Sequence, residues 1–116
     1  MRQYRGMPVL RAIPENGPPV DDPSEYRLFL MFEELEAGKS GFLIVERTAD
    51  ISGETYAQTI RHDDGSYTVE HRDGGADRHY GTCVRDMRAA HRLVTDWASE
   101  RPGWDAGHEW ERVTAA

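Results

Sequence analysis

Apolar positions in this chain fall into two helical stripes and several short alternating runs. Leu28, Met31, Phe32 and Leu35 recur at i, i+3, i+4 and i+7, the spacing of one helix face. Asp22-Pro23-Ser24-Glu25 precedes them. Asp22 suits the N-cap, Pro23 the first helical position and Glu25 the capping box, and Gly38 suits the stop. Leu28 to Phe32 is also an unbroken apolar run, so a strand over residues 26–32 competes with that helix. Phe42-Leu43-Ile44-Val45 predicts a short buried strand. Residues 55–61 and 66–72 then alternate around His62-Asp63-Asp64-Gly65, and Asp-Gly is a strong hairpin signal. A two- or four-residue loop there puts Tyr56, Gln58 and Ile60 on one face with Tyr67, Val69 and His71. Thr55, Ala57, Thr59, Thr68, Glu70 and Tyr80 are then left for the other, exposed face. Asp73-Gly74-Gly75-Ala76-Asp77 predicts a second turn and residues 78–82 a further strand. Residues 84–98 predict the second helix, with Val84, Met87, His91, Val94 and Ala98 on its stripe and Ala90, Leu93 and Trp97 beside it. Pro102-Gly103 ends it, and residues 108–113 suggest a last strand.

Prolines and glycines crowd residues 1–22, which predicts an extended arm or ordered loop. Residues 7–13 could lie on the domain as an edge segment. The expected architecture is α+β: a two-layer sandwich with an antiparallel meander of about four to five strands and two helices on one face. Residues 23–113 form the single domain and 114–116 a tail.

Charge changes that picture in one region. The chain has 116 residues and a formal net charge of −7. Residues 1–14 hold three arginines and no acid; residues 15–54 hold ten acids against three basic residues. Residues 55–116 hold eleven acids against eight arginines. The acidic middle includes Glu33, Glu34 and Glu36, either a solvated helix face or a surface for a basic protein partner. An acidic balance argues against non-specific nucleic-acid binding, which depends on Lys and Arg neutralising phosphates. Mean hydropathy is −0.74 and no apolar run approaches the length of a membrane span, so a cytoplasmic protein is expected. Cys83 is the single cysteine, which excludes an intrachain disulfide.

The candidate chemistry is sparse. If 73–77 is the loop, His71 and His79 face each other across adjacent strands, close enough to share a ligand. Two histidines do not make a metal site, and no metal or cofactor is expected. Cys83 fits a nucleophile beside a histidine, or a small buried hydrophobe. Arg85, Arg88 and Arg92 suit phosphates or an acidic protein, but Asp86 and Asp96 interrupt them, which favours a solvated face. Trp97, Trp104 and Trp110 crowd the last twenty residues, as anchors for the C-terminal segment or as interface hot spots.

Residues 54–113 resemble a recurrent type of small actinobacterial protein. The resemblance rests on Thr55-Tyr56-Ala57-Gln58, on the run from Asp64-Gly65-Ser66-Tyr67 to Asp73-Gly74, and on Arg78-His79-Tyr80. A helix ending in Trp97-Ala98, then Gly103-Trp104 and Trp110, completes it. This layout is similar to the first-described immunity-protein family of bacterial polymorphic toxin systems. Those are α+β proteins with an acidic-Arg dipeptide and a Trp near the C-terminus. Glu46-Arg47 and Trp110 are the corresponding positions here. The resemblance implies a non-catalytic module that binds and blocks a cognate toxin, a basic one given the acidic surface. Glu33, Glu34, Glu36, Glu46, Arg47 and Trp110 are then the expected partner contacts. Two alternatives stay open. One is a small-molecule-binding protein or small enzyme with Tyr56, His71 and His79 lining a pocket between sheet and helix. The other is an accessory protein bound to a larger bacterial assembly through its N-terminal arm. The exposed sheet face leaves a dimer open.

Overall fold

The computed structural model describes residues 9–114. Seven strands form one antiparallel sheet: β1 (Leu10–Pro14), β2 (Val20–Asp21), β3 (Leu43–Arg47), β4 (Thr55–Arg61), β5 (Tyr67–Asp73), β6 (His79–Val84) and β7 (Glu111–Arg112). Their spatial order is β2-β1-β3-β4-β5-β6-β7. Two helices, α1 (Glu25–Glu36) and α2 (Met87–Ala98), lie on one face. The α+β class is therefore as expected, but the sheet is larger, because segments near both ends of the described residues join it.

The first of these ends is residues 9–22. Ala12 is fully buried, and β1 pairs with β3 from Leu10↔Arg47 to Pro14↔Leu43. Glu15 N–H donates to Phe42 O and Val9 O accepts from Thr48 N–H, so alternate residues of β1 turn their backbone groups toward β3. Pro14 is one of the others. Its missing N–H would point beyond the end of β2, which is where a sheet tolerates proline. Within the stretch whose composition predicts an arm, residues 10–21 thus form a hairpin inside the sheet, while residues 1–8 lie outside the described residues.

Both helices carry caps at each end. Ser24, not Asp22, is the N-cap of α1, and its hydroxyl accepts from Arg27 N–H. Asp22 instead sits at φ 46 and accepts the N–H groups of Val9 and Leu10, fastening the end of the hairpin. Gly38, at φ +76, closes α1 with bonds from Gly38 N–H to Leu35 O and Lys39 N–H to Glu34 O. The apolar run that also suggested a strand is helical, since its spacing buries Leu28, Met31, Phe32 and Leu35 on one side. Asp86 caps α2 through Ala89 N–H, so that helix starts at Met87 and Val84 belongs to β6. The core lies between helices and sheet: Phe32, Leu35, Leu43, Val45, Tyr67 and Val94 are each nearly or fully buried.

Two turns set which side chains face that core. In the β4–β5 hairpin His62 N–H donates to Ser66 O and Gly65 N–H to His62 O, with Gly65 at φ +91. This is a three-residue loop with a glycine bulge. Its odd length inverts the expected parity. Tyr67, Val69 and His71 share the covered face with Ala57 and Thr59, whereas Tyr56, Gln58 and Ile60 share the open face with Thr68, Glu70 and Arg72. At the next turn a 3-10 segment (Ala76–Arg78) sets Arg72↔His79 and His71↔Tyr80. His71 and His79 consequently lie on opposite faces of the sheet and do not face one another.

Candidate protein-binding surface

The outer side of α1 carries the candidate surface. Helical periodicity buries one stripe and presents another, on which Tyr26, Leu30 and Glu33 are spaced i, i+4, i+7. Tyr26 is 68% exposed and Leu30 37%, two of four large apolar side chains exposed among the described residues. Glu33 and Glu34 are exposed beside them. Between this side of α1 and the β1–β2 loop is a cleft of about 320 Å³. Leu30, Met31, Pro14 and Pro18 supply apolar walls, and Arg27 and Glu34 flank them. The loop is held by two side chains: Glu15 accepts from Gly41 N–H at 2.6 Å, and Asn16 Nδ2 donates to Lys39 O at 2.6 Å. An apolar recess bordered by one carboxylate and one guanidinium has the shape and lining to take a protruding apolar side chain.

The remaining expected partner contacts are placed elsewhere. Glu36 turns away from Glu33 and Glu34. It accepts from Tyr67 Oη at 2.6 Å and from Arg61 Nε at 3.2 Å. The Tyr67 hydroxyl first, and then Arg61, hold its carboxyl below the usual range. Burial and the Glu36 carboxylate push the Tyr67 phenol in the opposite direction, upward. Glu46 and Arg47, although adjacent, point to opposite faces. Glu46 lies on the open face in register with Arg11 and Tyr56. Arg47 crosses under α2, donates to Trp97 O at 2.5 Å and Ala98 O at 3.5 Å, and stacks 4.3 Å from the Trp97 ring centroid. Trp110 packs edge-on against His71 at 4.8 Å and Trp104 at 5.7 Å, and its Nε1 donates to Asp105 O. It therefore pins the C-terminal segment to the covered face.

The three residues of the expected ligand pocket divide between faces. His71 is enclosed by Tyr80, Trp104 and Trp110, and burial there lowers its pKa from 6.5. Tyr56 and His79 meet on the open face with ring centroids 6.0 Å apart. Arg72 Nε donates to His79 Nδ1 at 2.9 Å, which requires a lone pair on Nδ1. His79 Nε2 then carries the proton and gives it to Glu70 Oε1 at 2.7 Å. Arg72 also donates to Glu54 at 2.6 Å, which raises its pKa. Both nitrogens of His79 are thus engaged, leaving neither to take a proton from a ligand or to bind a metal. Among the described residues no group of three or more His, Cys, Asp or Glu side chains is placed to hold a metal ion, and no helix is long and apolar enough to cross a membrane.

Tyr26, Leu30 and the two prolines were not among the residues the sequence pattern singled out. The signal for the first two was present, as an apolar stripe on α1 offset from the buried one. No protein-family model matches this chain, and neither a curated protein nor a solved structure does.

Proposed function

We propose that this protein is a non-catalytic protein-binding module that docks a basic partner on the outer face of α1, in the manner of an immunity protein blocking a cognate toxin. The observation that carries the reading is the exposed pair Tyr26 and Leu30 beside Glu33 and Glu34, of which Leu30 and Glu34 line the cleft walled by Pro14 and Pro18. Exposed aromatic and aliphatic anchors supply affinity when a partner desolvates them. Flanking carboxylates steer a basic partner and set its orientation. The toxin-inhibitor part of the reading rests on the resemblance of Glu46-Arg47, Trp110 and the surrounding strands. The ligand-pocket alternative has less support, because His71 lies across the sheet from Tyr56 and His79.

Tagged protein incubated with native-host lysate tests the reading, with wild type compared to Tyr26→Ser/Leu30→Ser and Glu33→Lys/Glu34→Lys. The expected result is one stoichiometric basic protein captured by wild type and lost with both variants. Equal capture by the variants, or no enrichment over a control bait, would remove the α1 reading.

A further inference from the structure

We infer that the trough at the outer edge of β6 takes an extended, basic peptide by strand addition. The argument starts from backbone direction. Val113 N–H donates to His79 O at 2.9 Å, so His79 turns its backbone groups away from β5 and toward β7. In an antiparallel pair this alternates, so Gly81 and Cys83 turn outward too. Glu111 pairs with Gly81 and Val113 bonds His79, so the cover along this edge stops at Gly81. Cys83 is exposed, and no strand among the described residues lies opposite it. Its outward N–H and C=O are an open edge, the template that strand addition uses.

Beside this edge the chain leaves space. A trough of about 520 Å³ runs between Thr82 and Cys83 on one side and residues 107–109 on the other. Its floor extends over the open face to Thr68, Glu70 and Gly81. An added strand sits about 4.8 Å from its neighbour, so it would enter between β6 and that outer wall.

The charge of the trough selects the peptide. Glu70, Gly81 and Glu111 stand in one cross-strand row. Two carboxylates therefore flank a position with no side chain, with backbones about 10 Å apart, twice the strand spacing. Glu109 adds a third carboxylate, against Arg112 and His108. Glu70 is oriented from behind by His79 Nε2, and its second oxygen has no partner among the described residues. A lysine or arginine at the peptide position opposite Cys83 itself would share the open face with Cys83 and Gly81, diagonal to Glu111, and would extend toward that oxygen. This surface is on the open face, away from α1, and is independent of the docking reading above.

Cys83 is the only thiol in the chain and borders the trough, so its alkylation rate reports occupancy directly. The probe is acetyl-Val-Lys-Val-Lys-Val-Lys-amide, against the Val-Glu peptide of equal length and an N-methylated Val-Lys peptide that cannot donate backbone hydrogen bonds. At saturation the Val-Lys peptide should slow iodoacetamide labelling of Cys83 by about tenfold, and neither control should. Glu109→Lys/Glu111→Lys alters two exposed side chains, so a preserved thermal melt is expected together with loss of the protection. Cys83→Pro removes the outward N–H together with the reporter thiol, so binding is read there by fluorescence anisotropy of labelled peptide and should be abolished, with a preserved thermal melt showing that the fold is kept. Absence of slowing overturns the inference, as does equal slowing by the N-methylated peptide or protection that survives Glu109→Lys/Glu111→Lys. Tyr26→Ser/Leu30→Ser should leave the protection unchanged.

Discussion

Thr95 shows how a single buried atom can work against the fold. It lies on the packed side of α2, 8% exposed, and its hydroxyl oxygen has no hydrogen-bond partner among the described residues. A buried hydroxyl without a partner forfeits its hydration for nothing in return. Thr95→Val keeps the shape and removes the polar atom, so urea unfolding should show a gain of about 1 kcal/mol. Nearer neutral pH, His71 makes stability depend on pH. Burial among Tyr80, Trp104 and Trp110 holds its pKa below 6.5, although Asp73 and Asp105 oppose this. The folded chain then binds fewer protons than the unfolded chain between the folded value and 6.5. Its contribution is complete above 6.5 and lost as pH falls through the folded value. Urea midpoints should therefore drop between pH 7.5 and 5.5, and His71→Phe, which keeps an aromatic ring, should flatten that drop. The roles of Glu36 and Arg47 were illegible in the sequence for one reason. Each is decided by a contact about thirty or fifty positions away, with Tyr67 and with the end of α2, and no local pattern encodes such a distance.

At the scale of elements, the C-terminus of α2 depends on a strand. The helix ends with Glu100 at φ 54, a left-handed position held by a residue other than glycine. Glu100 N–H reaches Trp97 O and Arg101 N–H reaches Asp96 O. Arg47 from β3 supplies further donors to Trp97 O and Ala98 O, placing a cation at the negative end of the helix dipole. Arg47→Ala should cost about 1–3 kcal/mol in chemical denaturation, through the lost charged hydrogen bonds and the lost stacking on Trp97. Glu46→Ala, one residue away on the open face, should stay within about 0.5 kcal/mol. Equal effects would mean that Arg47 does not hold the helix end. The helices and most of the central strands were legible because spacing and caps are local. The facing of the β4–β5 hairpin was not. Asp63-Asp64-Gly65 admits an even loop or an odd one with a bulge, and the two differ by inversion of every side chain. Tyrosines at both Tyr56 and Tyr67, and histidines on both faces, left no hydrophobic asymmetry strong enough to decide between them.

Across the whole molecule, the sheet is completed by segments that look dispensable in isolation. Val20–Asp21 and Glu111–Arg112 are only two residues long, yet they form the two edges; each offers little backbone of its own to another molecule, while β6 is left uncovered past the end of β7 at Cys83. Next to the first of them, whose Val20 rests against the core, β1 buries Ala12, rests Leu10 there too, and pairs with β3 at five positions. Glu15 and Asn16 then tie the hairpin to the turn after α1. Proline and glycine in this stretch serve the ends and turn of a hairpin, which is why composition alone suggests an arm. Removing residues 1–22 would expose β3, with Ile44 and Val45, as a long unprotected edge beside an uncovered part of the core. A chain of residues 23–116 should consequently lose cooperative thermal unfolding by circular dichroism and aggregate at concentrations where the full chain does not. The docking cleft would go with it, since Pro14 and Pro18 form one wall. A cooperative melt within a few degrees of the full chain would instead make the hairpin an appendage, and the cleft a surface built by α1 alone.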